Sequence, residues 1–167
     1  HALPGNHDDP KEMARSLGAG PVDVPHQIDC GSWRLILLDS TLAGKDAGHL
    51  ATGPLRRLAS ALAARPQAPT LVVLHHPPVP VGSPWLDGIG LDNPEDLFAL
   101  LDHQPQVRGL VFGHIHQTFS AERNGVALLG APSTCIQFLP GSQDFALDPA
   151  TPGFRWLASW RRWWGRS

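Results

Sequence analysis

Six side chains able to offer a lone pair to a cation stand at the ends of three short apolar runs. They are Asn6 and His7 in L-P-G-N-H-D (Leu3 to Asp8), His75 and His76 in L-H-H-P-P (Leu74 to Pro78), and His114 and His116 in G-H-I-H (Gly113 to His116). Imidazole nitrogen suits Zn, Fe, Mn, Co or Ni, and the Asn6 carboxamide adds a neutral oxygen. Alone, a G-N turn or a strand-end histidine is usually structural. Three such segments in one order, each closing an apolar run, predict a metal centre at one edge of a sheet. The chemistry of such a centre is metal-assisted hydrolysis. Residues two apart in an extended segment share a side, so His114 and His116 are expected to face inward with Ile115 turned away. No carboxylate occupies an obvious bridging position, and Asp8 is expected to orient the ring of His7. His26, His49 and His103 lack this context and are expected at the surface; His1 reads as a strand residue.

The elements that must present these residues follow from periodicity and punctuation. His1 to Leu3 reads as the tail of a strand and Gly5-Asn6 as a tight turn. Asp9-Pro10 opens a helix through Leu17. Ile28 to Cys30 and Trp33 to Ser40 form a hairpin about Gly31-Ser32. Thr41 to Thr52 is loop, and Pro54 to Ala64 carries leucines at helical spacing. Thr70 to Leu74 and Val107 to Phe112 are buried strands running into their histidines. Val79 to Leu91 is a Gly/Pro loop. Asn93 caps a helix through Asp102. Asn124-Gly125 turns a hairpin between Thr118 to Arg123 and Val126 to Leu129, and Thr134 to Phe138 is a further strand. Alternating strands and helices followed by a run of strands give a layered α/β domain.

The totals bound the function. A chain of 167 residues with 42% hydrophobic and 17% charged residues is about one globular domain. A net charge of -2 argues against a nucleic-acid partner and leaves any phosphate to be attracted by bound metal. Two separated cysteines, Cys30 and Cys135, make no disulfide framework. With no apolar run of spanning length and no signal peptide, a cytoplasmic protein is expected.

These motifs resemble the calcineurin-like metallophosphoesterases, whose order is D-x-H, G-D, G-N-H-D/E, a histidine after a strand, and G-H-x-H. V-V-L-H-H-P-P, S-P-W-L-D (Ser83 to Asp87), G-H-I-H-Q and A-P-S-T-C-I-Q-F (Ala131 to Phe138) are similar to the bacterial class III 3′,5′-cyclic AMP phosphodiesterases, from Leu3 to about Trp156. The resemblance implies a β-sandwich flanked by helices and two metal ions, drawn from Fe, Mn, Zn or Co. It implies Asn6, His75 and His114 on the second metal and His116 on the first. It implies His7, with Asp8 beside it, at the leaving oxygen. It implies His76, Trp85, Asp87, Thr134, Cys135 and Gln137 around a small phosphodiester, cyclic AMP foremost, attacked in line by an activated water. D-x-H and G-D do not occur in this sequence. The chain is therefore expected to be a C-terminal portion lacking the first strands, with a partial site and little turnover.

Residues 1–156 are expected to form this unit, and 157–167 a divergent Trp/Arg-rich tail. Trp156, Trp160, Trp163 and Trp164 recur at helical spacing, which suits a helix on the domain or on a second chain, as in a homodimer. A membrane-surface helix is the minority reading. Competing functions are hydrolysis of glycerophosphodiesters or other small diesters, a non-catalytic remnant or interaction module, and a structural zinc site on His75, His114 and His116.

Overall fold

The structure is a computed structural model and describes residues 1–158. Its helices and strands run α1 (Pro10–Leu17), β1 (Gln27–Cys30), β2 (Trp33–Leu38), α2 (Thr52–Ala64), β3 (Thr70–Leu74), α3 (Pro84–Asp87), α4 (Pro94–Leu101), β4 (Val107–Phe112), β5 (Phe119–Arg123), β6 (Val126–Gly130), β7 (Gln137–Phe138) and β8 (Leu147–Asp148). One sheet has the order β1-β2-β3-β4-β6-β5, and β7 and β8 form a separate two-stranded ribbon. The layered α/β reading holds, with a central sheet flanked by helices. Among the described residues, the second sheet expected of a sandwich is this short ribbon.

β2, β3, β4 and β6 are mutually parallel, while β1 and β5 pair antiparallel at the two edges. Four parallel strands therefore end along the same side. Ser40 follows β2, His75 follows β3, and Gly113-His114 follow β4. Leu38, Leu74 and Phe112 lie level in neighbouring strands, so these three exits sit side by side. Open α/β sheets place their sites at such an edge because the strand-end loops there are free to carry polar groups.

The core forms because the parallel strands are apolar on both faces. Val72, Leu74, Leu110 and Phe112 are buried with Leu58 and Leu62 of α2 and Leu97 and Leu101 of α4. α2 packs on β2 and against α4. One charge enters this interior: Arg34 of β2, 5% exposed, forks onto both carboxylate oxygens of Asp29 and donates to the Ala61 carbonyl. Charged groups are tolerated inside only when paired in this way. α1 buries nothing; it is held by Asp9, whose carboxylate accepts from the backbone N–H groups of Lys11 and Glu12 at 2.9 and 3.0 Å.

Several local expectations are corrected. His1 to Leu3 is not a strand: Ala2 N–H meets the Asp23 carbonyl, and His1 pairs with Asp23. The strand expected over Thr134 to Phe138 reduces to β7, because the Ser133 hydroxyl and the Gln137 amide fold the preceding residues into a turn. The loop after His76 contains the one-turn helix α3. Asn93 stands at the cap of α4 but does not cap it, since its amide clamps both backbone groups of Leu50. The β5–β6 hairpin turns at Asn124 and Gly125, with φ of 51° and 78°. That pair of left-handed residues matches the strand twist. Gly125→Ala, which places a Cβ on positive φ, is expected to cost about 1 kcal/mol in thermal unfolding.

Candidate metal centre

Three donor atoms from three distant segments converge. Asn6 Oδ1 lies 2.9 Å from His75 Nε2 and 3.3 Å from His114 Nδ1, and the two ring nitrogens lie 3.3 Å apart. Donors bound at about 2.1 Å to one cation are separated by about 3.0 Å in octahedral and about 3.4 Å in tetrahedral geometry. The triangle therefore has the dimensions of one face of a coordination shell. Gly5 lets it close, since a Cβ there would stand 2.7 Å from His75 Cε1. His114 Nε2 is buried without a partner, and the polar contacts of the ring lie at Nδ1, on Asn6 and His75. The residues present fit a divalent cation.

The backbone that delivers His114 is not extended. His114 and His116 both have positive φ, 65° and 47°, so the expected side-by-side placement fails. Ile115, fully buried, anchors the turn between them. His114 meets His75, whereas His116 stays within electrostatic reach of both rings but outside the cluster. Its Nδ1–H donates to the Ile136 carbonyl at 2.9 Å and its ring stacks on Phe138, centroids 4.1 Å apart and planes nearly parallel. That bond leaves Nε2 of His116 bare and able to coordinate. A single zinc on His75, His114 and His116 does not fit, because His116 lies outside the cluster.

A purely geometric grouping selects His75, His76 and His114, whose ring nitrogens come within 4.8 Å of one another. The hydrogen bonds argue against His76 as a donor. Its Nε2 faces the Asp46 carbonyl at 3.1 Å, which can only accept, so Nε2 carries the proton. Its Nδ1 then accepts from the Ser40 hydroxyl at 2.8 Å. Both nitrogens are committed, and the ring is fully buried, so it is also remote from substrate.

The remaining expected residues divide. His7 and Asp8 lie exposed at the rim, and His7 is close enough to His75 and His116 for its charge to disfavour theirs. Asp8 does not orient His7; its carboxylate accepts from Gly5 N–H at 2.9 Å and closes the turn that presents Asn6. Asp87 is spent on the backbone N–H groups of Val81 and Gly82. The buried amide of Gln137 is spent on Ser133 and Thr151. Trp85 sets its edge against Phe138 and Phe145, beside the His116 stack. Thr134 and Cys135 are exposed. Sequence reasoning missed Ser40, Asp46, Gly48 and Phe138. The first three lie in or beside a polar loop without periodicity, and only their contacts reveal them.

Burial pushes the His75 ring down to about 4 and the His114 ring down to about 3, with neighbouring histidines adding to the shift. His76 and His116 shift the same way, again chiefly through burial. Both donors are thus neutral at pH 7, as coordination requires. In the metal-free chain these rings resist protons that the unfolded chain accepts below its ordinary value of 6.5. Their contribution to stability is complete above that pH and is lost as the pH falls towards the folded values. Urea melts of the metal-free chain are expected to show stability declining from pH 7 to pH 5 by on the order of 4 kcal/mol, about 2 for each ring, and level between pH 7 and pH 8.

Comparison with known proteins gives the family. A model of the calcineurin-like phosphoesterase family matches residues 1–118. The chain is similar to a 3′,5′-cyclic adenosine monophosphate phosphodiesterase CpdA of Pseudomonas aeruginosa, with 48% identity over 92% of this chain and 56% of that protein. It is similar to a 3′,5′-cyclic-nucleotide phosphodiesterase of a Nostoc species, with 44% identity over 93% of this chain and 58% of that one. It is also similar to the CpdA of Escherichia coli K12, with 40% identity over 93% of this chain and 57% of that protein. The chain thus spans little more than half the length of these curated relatives. Among solved structures, a dimetal phosphatase from Danio rerio superposes with a TM-score of 0.51 at 15% identity, over 64% of this chain and 48% of that one, a likeness of fold. By sequence and by architecture, the chain belongs to the calcineurin-like phosphoesterase family.

Proposed function

We propose that the site built on Asn6, His75 and His114 serves metal-dependent hydrolysis of a small phosphodiester, with 3′,5′-cyclic AMP the preferred substrate. The observation that carries the reading is the donor triangle with edges of 2.9, 3.3 and 3.3 Å. The names of the similar cyclic-nucleotide phosphodiesterases support the substrate. A bound divalent cation supplies Lewis-acid charge for a phosphoryl oxygen and makes a water acidic enough to attack near neutral pH.

This chain's residues do the rest. Asn6 Oδ1, His75 Nε2 and His114 Nδ1 hold one cation, and His116 Nε2 contributes to a second. His7 sits exposed at the rim, where its ring would donate a hydrogen bond to the leaving oxygen. Trp85, packed on the Phe138 that stacks on His116, would shield one side of the substrate, and the exposed Thr134 and Cys135 would meet it from solvent. Asp87 and Gln137 act by shaping these loops rather than by touching substrate. Residues 1–156 serve as one unit. No described helix is long and apolar enough to cross a membrane, and the exposed free thiols of Cys30 and Cys135 suit a reducing cytoplasm.

Among the described residues the donor cluster contains histidines and an amide but no carboxylate, so slow turnover is expected. The test is an assay with Mn²⁺ against cyclic AMP, glycerophosphodiesters and bis(p-nitrophenyl) phosphate, with the Pseudomonas relative alongside. The expected result is weak activity, removed by a chelator and highest on cyclic AMP. Preference for glycerophosphodiesters would overturn the substrate. Activity insensitive to chelation would overturn the metal.

A further inference from the structure

A carboxamide has two ends of similar shape and opposite chemistry. Only Oδ1 of Asn6 has a lone pair for a cation; the other end would present N–H groups to it. Something must choose between the two orientations. The structure places the Asn6 Nδ2 group 3.4 Å from Asp46 Oδ1, while Oδ1 faces His75 and His114. A carboxylate accepts and never donates, so this neighbour selects the orientation that turns the oxygen inward.

Asp46 is itself held. Its carbonyl takes the Nε2 proton of His76, whose other nitrogen is fixed by Ser40 behind β2. Two residues on, Gly48 is buried against the same ring, with no room for a Cβ, and its backbone bonds both Gly90 and Asp92. We infer that Asp46 is a positioning residue, held in place by the buried ring of His76, that orients the Asn6 amide for cation binding. His76 thus acts on the centre without coordinating it. This rests on the metal-binding reading of the donor triangle.

Asp46 also carries a charge felt at His114, so its field and its hydrogen bond must be separated. The experiment measures Mn²⁺ affinity of the full chain by calorimetry, with thermal melts of the metal-free variants as a control. Asp46→Ala is expected to weaken binding about tenfold, the usual effect of removing a group that orients a ligand, with an unchanged melt. Asp46→Glu keeps a group that only accepts and is expected to stay within about threefold of wild type, whereas Asp46→Asn, whose amide can turn either end to Asn6, is expected to lose affinity. In an Asn6→Asp background both ends of residue 6 are oxygen, so Asp46→Ala is expected to have no weakening effect there.

A loss with Asp46→Glu equal to that with Asp46→Ala would overturn positioning, and an equal Asp46→Ala loss in the Asn6→Asp background would overturn it in favour of the field. A metal-independent reading comes from the Asn6 side-chain amide resonances of the metal-free chain. They are expected to shift and exchange faster in Asp46→Ala. Unchanged resonances would overturn the inference even if the chain bound no metal at all, whereas failure of wild type to bind Mn²⁺ with shifted resonances would overturn only the metal-binding reading.

Discussion

Replacing His114 with alanine lowers the affinity of the chain for Mn²⁺ by at least about 100-fold, or roughly 3 kcal/mol, while His116→Ala leaves the tightest site within about threefold of wild type. The contrast follows from where the two rings point. His114 Nδ1 is one corner of the donor triangle, and its removal leaves two donors where the fold has arranged three. His116 is held away from that triangle by the Ile136 carbonyl and by Phe138. Asn6→Ala and His75→Ala are expected to match His114→Ala, because each removes one corner. Calorimetric titration reads the affinities directly. Equal losses at positions 114 and 116 would mean that the turn rearranges to bring both rings to one cation, and the three-donor site would then be wrong. The effect is measurable at neutral pH because burial already holds His75 and His114 unprotonated, so protons do not compete.

Gly48→Ala is expected to destabilise the chain by about 3 kcal/mol, the upper end of what overpacking usually costs. The added Cβ would stand 2.3 Å from both Cγ and Nδ1 of His76. Neither side can yield easily. The His76 ring is fully buried and bonded at both nitrogens. The Gly48 backbone donates to the Gly90 carbonyl and accepts from Asp92 N–H, both at 2.9 Å. Gly44→Ala in the same loop is the informative control. Its φ of 71° makes alanine mildly strained, but nothing lies within 4 Å of the new atom, so a cost of about 1 kcal/mol is expected. Urea denaturation of the two variants reads the difference. A Gly48→Ala midpoint equal to that of Gly44→Ala would show that the loop does not press on His76, and the account of how Asp46 is held would fall with it.

Much of the fold was legible in the residues because the signals are local. Thr70 to Leu74 is a short apolar run and Val107 to Phe112 is one broken by Arg108, a pattern typical of strands covered on both faces. Asn124-Gly125 supplies the two left-handed residues that a tight hairpin needs. Asp9 followed by Pro10 starts a helix by chemistry confined to four residues. The misreadings fall where local signals have distant competitors. Asn93 has the right type to cap α4, yet its amide goes to Leu50, because two buried backbone groups there need partners. Thr134 to Ile136 has strand-like composition, yet Gln137 and Ser133 tie the preceding chain into a turn.

The candidate site divides along the same line. Residue types and their places after apolar runs were enough to gather Asn6, His7, His75, His76, His114 and His116 as candidate donors, and the family resemblance picked Asn6, His75 and His114 from them. His75 and His114 reach one edge because parallel strands discharge their last residues there. Which of two adjacent histidines faces a cation was decided elsewhere: His76 is excluded by a serine after β2 and a carbonyl in a loop without periodicity. The parting of His114 from His116 was decided by two positive φ angles, held by the burial of Ile115. Donor chemistry belongs to a side chain and can be read one residue at a time. The direction in which a ring points is set by whatever packs against it, and here those partners reach it only when the chain has folded.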